Sequence, residues 1–497
     1  MTSNADFSLL NQAYSLPLFE AASEEWRKLL TAHMRQLSER QSPVLNWADP
    51  HAAIADASGW MQRSGNSGER PVVQRMSAIL NKMLSSGQNL HHPHYIGHQV
   101  PASIPLAGLF DAVSSITNQV MAIYEMGPWA TAVEHAVVEA MCRKVGWSEE
   151  RGTGLLTHGG SLANLTALLT ARNVVLPGSW ENGVPSETVL ITHSDAHYCV
   201  TRAAGILGLG SRQVFKAELD TRGRMDVDRL DQLIEQLKAA GRKIMAVSAC
   251  ACATPTGAFD DLQKIADVCE RHELWLHVDA AHGGGLLMSR QHRHKLDGIE
   301  RADSIVWDAH KMLFVPALCA AVLYKNKAHR FETFQQSAPY LFDPSTPGMA
   351  DIDSGMRTIE CTKRAIGFGL WGLWSLFGAE IFEQLVDHTI DRAQEFFEML
   401  RAAEDFETLH EPECNIVAFR YVPRSMRDAL PEAIDQFQRG LRMNLIRSGS
   451  FYIVQTTLSQ RAALRICVMN PMTTTEDLSE LLDAIRNVDQ TNKVTKS

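Results

Sequence analysis

From about residue 150 onward, short and almost continuously apolar runs alternate with amphipathic helical stretches. The runs at 189–192, 244–249, 274–278, 304–307 and 318–323 show no polar alternation, so both faces of each must be covered. Between them, Asp226 is placed to cap a helix whose Leu230, Leu233, Ile234 and Leu237 share one face. Asp260 is placed to cap another, with Leu262, Ile265, Ala266 and Cys269 in phase. Strands buried on both faces and separated by helices build an α/β fold around a mainly parallel central sheet. Such sheets bind ligands at the carboxyl ends of their strands. The residues just past each run are therefore the ones to read for chemistry.

The flanks read differently. Residues 1–100 read as a helical segment with polar breaks at 64–68 and 85–87. Its apolar faces have no partner inside the segment, so they are expected to pack on a second subunit. Residues 101–375 read as the large α/β domain and 376–497 as a small α+β domain. In the latter, strands are expected at 415–421, 451–456 and 463–468, with helices from about Pro431 and from Thr475. A formal charge of −10 argues against general nucleic-acid binding, which needs a basic surface. The first residues lack the basic-then-apolar pattern of a secretory signal, and the most apolar stretch, 366–382, is too short to span a bilayer. Nine cysteines without CxxC spacing read as reduced thiols. The expectation is a cytoplasmic protein with neither membrane nor nucleic acid as partner.

Three strand ends carry the chemistry. The first is His277-Val278-Asp279-Ala280-Ala281. A carboxylate ending a buried strand is costly unless paired. Facing a cationic ring nitrogen, it would keep a pyridine protonated and strengthen it as an electron sink, and the small Ala281 would leave room for a flat ring. The second is Trp307-Asp308-Ala309-His310-Lys311, which places a lysine 32 residues beyond Asp279. A desolvated lysine has a lowered pKa and forms an imine with an aldehyde. The third is His158-Gly159-Gly160-Ser161, leading into a helix from Leu162. A glycine-rich turn at a helix N-terminus offers free N–H groups to a phosphate. A phosphate cradle, a ring-nitrogen partner and an imine-forming lysine on one sheet suit pyridoxal 5'-phosphate. Gly159-Gly160-Ser161 is not the Gly-x-Ser-x-Gly elbow of a serine hydrolase.

With these residues in view, the chain resembles the pyridoxal-phosphate-dependent group II amino acid decarboxylases. That family includes glutamate, aromatic amino acid, cysteine sulfinate and diaminobutyrate decarboxylases. The likeness runs from about His92 to Pro471 and is most specific in LWLHVDAAHGGGLLMSRQHRHKLDGIERADSIVWDAHKML. It implies the aspartate-aminotransferase type of fold (fold type I), a homodimer with active sites at the interface, and Lys311 as the covalent cofactor anchor. By the same resemblance Asp279 pairs with the ring nitrogen, His197 lies on the ring face, and Ala281, Gly159, Gly160, Ser161, Thr254 and His310 surround the cofactor. Tyr340, 29 residues after Lys311, matches the loop tyrosine that returns a proton. Arg465 matches the arginine that binds the α-carboxylate. His94, Tyr95 and His98 fall where the family places substrate-pocket residues.

Three departures stand out. Asp308 replaces a common Asn, and Cys252-Ala253-Thr254 replaces Gly-Thr-Thr. Glu360 also stands where several members have Gln. The implied reaction is decarboxylation of an L-amino acid, with an acidic side chain favoured by the histidines near residue 94. A diaminobutyrate or aromatic substrate, an aminotransferase or oxidative deaminase, and a catalytically silent binding homologue are the alternatives. No metal is expected: the four histidines at 91–98 are joined by no Cys or carboxylate in sequence.

Overall fold

The computed structural model describes residues 8–62, 70–334 and 352–494, the last six as backbone only. Seven strands form the central sheet in the order Thr153–Thr157, Ala320–Tyr324, Ser304–Asp308, Leu276–Asp279, Lys243–Cys250, Thr188–His193 and Val214–Ala217. Ala320–Tyr324 runs against both its neighbours, and the other six strands share one direction. Their carboxyl ends therefore open on one edge. The inner strands are buried along almost their whole length, which is why they lack alternation. The edge strand Val214–Ala217 escapes that signal because it is half-buried and exposes Lys216.

Helices cover both faces. Asp226 caps Val227–Ala239 by accepting the N–H of Arg229, and Leu230, Ile234 and Leu237 are buried. The second cap differs from expectation. Asp261 caps Leu262–His272, accepting the N–H of Lys264. Asp260 instead turns inward and accepts the N–H groups of Met225 at 2.6 Å and Cys250 at 2.7 Å. Two adjacent carboxylates cannot both occupy one cap, and the inner one satisfies donors that the sheet leaves free.

A second, antiparallel sheet has the order Phe406–Thr408, Ile416–Tyr421, Arg461–Cys467, Val454–Leu458. Helices Glu380–Ala402, Pro431–Ser448 and Thr475–Val494 pack with it around Phe396, Phe419, Leu445, Leu464 and Leu481. The strand expected from 451 begins only at Val454, because Tyr452 pairs with Tyr95 instead. The segment carrying Tyr95 links the two sheets. Cys467 donates to Ile96 O, Ala102 to Met469 O, and Ile104 to Phe314 O. In the N-terminal segment, helix Leu16–Ser38 buries only Leu37. Leu9, Tyr14 and Leu16 are exposed at 78%, 83% and 73%. Among the described residues, no helix is long and apolar enough to cross a membrane.

Candidate active site

The strand ends converge on a cavity of about 490 Å³ between the two sheets. Its wall holds Gly159, Gly160, Ser161, His197, Thr254, Asp279, Ala281, His310, Lys311, His98 and Arg465. Sequence separations of up to 367 residues (98 to 465) thus collapse into one site.

The cradle is the start of helix Gly160–Val175. Gly159 has φ +102°, a conformation that L side chains avoid. A Cβ on Gly160 would lie 2.7 Å from Asp308 Oδ2, so glycine is required there too. Asn164, one helical turn on, donates to Gly160 O at 2.9 Å and faces His277 Nε2 with its Oδ1, also at 2.9 Å. His277 in turn meets Ser304 Oγ at 2.9 Å. This buried relay ties the cradle to two strands. Sequence reading missed Asn164, although a polar residue four after Gly160 in an otherwise apolar helix start is a usable signal.

Asp279 ends its strand at 8% exposure, and its Oδ1 accepts the N–H of Ala281 at 3.1 Å. Lys311 Nζ lies 3.1 Å from Asp308 Oδ2. Burial pulls the lysine pKa down, but Asp308 and Asp279 outweigh it, and the net shift is upward. The lowered lysine pKa expected from desolvation alone is therefore corrected by the carboxylates that face it. His197 shifts the other way: burial lowers its pKa, opposed by Asp279 and reinforced by Lys311. Its ring is held by the Cys199 N–H, which donates to Nδ1 at 3.4 Å. His310 Nδ1 meets Cys319 O at 2.8 Å.

On the opposite wall, Arg465 is 5% exposed, and its Nε and Nη2 have no hydrogen-bond partner among the described residues. Buried donors without partners are rare, so this guanidinium is set for an incoming acceptor. His98 Nε2 is 3.1 Å from Tyr452 Oη. Burial, then Arg465 and Arg442, lower its pKa.

His94 and Tyr95 are not among the residues lining the cavity. His94 stacks on Phe451 and pairs with Asp477 at 3.0 Å. Tyr95 is 1% exposed and stacks on Tyr452. Along this looped segment successive side chains diverge, and of these three residues only His98 lines the cavity. Tyr340 lies outside the described residues. Glu360 is engaged by His158, which lines the cavity, at 2.5 Å.

The donor set fits pyridoxal phosphate. A helix N-terminus with no room for a Cβ suits a phosphate, a strand-end carboxylate suits a ring nitrogen, and a lysine lies between them. The model of the pyridoxal-dependent decarboxylase conserved domain matches residues 68–422. The chain belongs to this family. It is 32% identical over 467 residues to the cysteine sulfinic acid decarboxylase of Rattus norvegicus, covering 92% of this chain and 93% of that protein. It is 32% identical over 430 residues to the acidic amino acid decarboxylase GADL1 of Homo sapiens, covering 84% and 82%. The crystal structure of mouse CSAD superposes with a TM-score of 0.87 at 27% identity, over 95% of this chain and 99% of that one. As a member of the family, the chain is a pyridoxal-phosphate-dependent carboxy-lyase of amino acids, built on fold type I.

Proposed function

We propose that this decarboxylase acts on an L-amino acid with an acidic side chain, of the aspartate, glutamate or cysteine sulfinate kind. The observation that carries the reading is His98, a second potential donor on the cavity wall near Arg465, which remains for an acidic side chain once Arg465 takes the α-carboxylate. The relatives named for cysteine sulfinic acid and for acidic amino acids support it. A cationic substrate is disfavoured because Glu360 is engaged by His158.

Pyridoxal phosphate, when bound, supplies the electron sink for cleavage at the amino-acid Cα. Gly159, Gly160 and Ser161 would hold its phosphate, with Thr254 and His310 beside it. Asp279 would keep its ring nitrogen protonated, and Lys311 would anchor it covalently. His197 and Ala281 would border its ring. Arg465 would grip the α-carboxylate and so orient the bond to be broken. His98, held by Tyr452, would meet the distal acid. Tyr340 would deliver a proton to Cα after CO2 departs.

The test is a panel of amino acids scored for CO2 and amine. Cysteine sulfinate, aspartate or glutamate should dominate. Preference for diaminobutyrate or an aromatic amino acid would overturn the substrate assignment, and aldehyde with ammonia would overturn amine formation.

The exposed apolar face of Leu109, Val113 and Ile116, with Trp129 nearby in sequence, supports a homodimer with interfacial sites, which light scattering would test. Nine free thiols, eight of them buried, support a cytoplasmic location, which cell fractionation would test.

A further inference from the structure

Three metal-ligating side chains from three separate elements meet beside the cavity. Cys252 follows strand Lys243–Cys250, His282 follows Leu276–Asp279, and Cys414 precedes Ile416–Tyr421 of the second sheet. The two sulfurs are 3.7 Å apart. One imidazole nitrogen of His282 lies within 4.8 Å of both. Exposure is 7% for Cys252, 3% for His282 and 1% for Cys414. Cys252 and His282 also border the cavity. None of the three has a role in the reaction derived above.

The protonation of His282 follows from its neighbour. Asn415 Nδ2 donates to Val468 O at 2.7 Å, which leaves Oδ1 facing His282 Nε2 at 2.8 Å. An amide oxygen only accepts, so Nε2 carries the proton. Nδ1 is then a bare lone pair, buried and without a hydrogen-bond partner among the described residues. Burial and Lys311 push the pKa of this ring down to about 3, so it stays neutral at ordinary pH. A neutral imidazole oriented through its far nitrogen by a carbonyl is the arrangement that stands behind metal-bound histidines.

The sulfur spacing separates two fates of the thiols. A disulfide needs about 2.05 Å between sulfurs. Two thiolates on one tetrahedral ion, each about 2.3 Å from it, lie about 3.8 Å apart. The observed spacing accommodates an ion without movement, whereas a disulfide would require the sulfurs to close.

We propose that Cys252, Cys414 and His282 form a binding site for a zinc-class divalent ion, with water from the cavity as fourth ligand. Binding exchanges two thiol protons for the dication: the ion gains two thiolates and a neutral imidazole, and two protons leave. The two thiolate charges cancel that of the ion, which lets it sit near Lys311 and Arg465. The bound ion would join the central sheet to the second sheet at the cavity wall.

The test uses the holoenzyme loaded with pyridoxal phosphate, stripped of metal by a chelator, then titrated with Zn²⁺ and in parallel with Co²⁺. One ion per chain is expected, with two protons released per ion and, for cobalt, the intense visible bands of a tetrahedral thiolate site. Cys414→Ser should abolish the bands and weaken zinc binding at least about tenfold, and Asn415→Ser should weaken it by about ten- to a hundredfold. Wild-type protein with no cobalt bands would overturn the proposal whatever the variants do. So would Cys414→Ser that holds zinc as tightly as wild type, or an intact mass two units low that reveals a disulfide instead.

Discussion

Asp308 Oδ2 lies 3.1 Å from Lys311 Nζ, and the carboxylate is only 2% exposed. Its Oδ1 has no hydrogen-bond partner among the described residues. The pair holds the lysine as an ammonium before any cofactor arrives. An Asn at this position would accept a hydrogen bond but supply no countercharge.

Asp308→Asn should therefore lower the lysine pKa. In protein freed of cofactor, imine formation with added pyridoxal should become faster near neutral pH, and its pH–rate profile should move to lower pH. The sign for stability follows from linkage. A lysine pKa raised by folding stabilises the fold below the ordinary lysine value, and that contribution fades as pH rises through the folded value. The variant's deficit should be full at neutral pH and shrink in alkali. An unmoved pH–rate profile would argue against the pairing.

Lys311→Ala removes the only lysine on the cavity wall among the described residues. Borohydride reduction of wild type should leave a pyridoxyl group on the peptide containing Lys311, and the variant should yield none. CO2 release should fall by at least about a thousandfold, as for loss of a covalent catalyst.

Arg465→Met should separate binding from folding. Removing a buried charge that pairs with substrate costs about 2–5 kcal/mol, or roughly thirty- to several-thousandfold in kcat/KM. The free protein should lose no stability, because two unpartnered donors leave the interior with the guanidinium. Urea unfolding alongside steady-state kinetics measures both. A variant that is inactive and also unfolded would count against the assignment.

Lys363 and Glu134 form a buried ion pair at 2.7 Å, and Lys363 also donates to Leu156 O at 2.6 Å. Lys363→Ala leaves a buried carboxylate alone and should cost about 3–5 kcal/mol in urea unfolding. The double variant Lys363→Met with Glu134→Leu should recover much of that loss.

Asp477 binds Arg40, His94 and Thr474. Burial opposes its ionisation, but these hydrogen bonds outweigh it and hold the carboxyl well below the usual carboxylate range. Its contribution is present above the unfolded aspartate pKa and lost as pH falls through the folded value. Asp477→Asn should lower the midpoint of thermal unfolding at pH 7, and the gap from wild type should narrow in acid.

Much of the site is legible without coordinates. Asp279 and Lys311 each follow a short apolar run, and the rule that parallel sheets bind ligands at strand ends converts sequence position into spatial position. Gly159-Gly160 is legible for the same reason. Other features resist. Asp260 and Asp261 are equal candidates for one helix cap, and the unpaired N–H groups of Met225 and Cys250 decide between them. His94 and His98 look alike in a histidine-rich run, yet one faces Asp477 and the other the cavity.

The chain's local patterns were enough to read the class of sheet and the cofactor and to single out Lys311 as its proposed anchor, because burial on both faces and the spacing of charged residues past strands are visible along the sequence. Only the tertiary structure decided the charge on Lys311, the freedom of Arg465 and the meeting of Cys252, His282 and Cys414. Those depend on which groups the chain brings within a few ångströms in a water-poor interior. There, a neighbour of the right charge outweighs desolvation, and an unpartnered atom becomes a site.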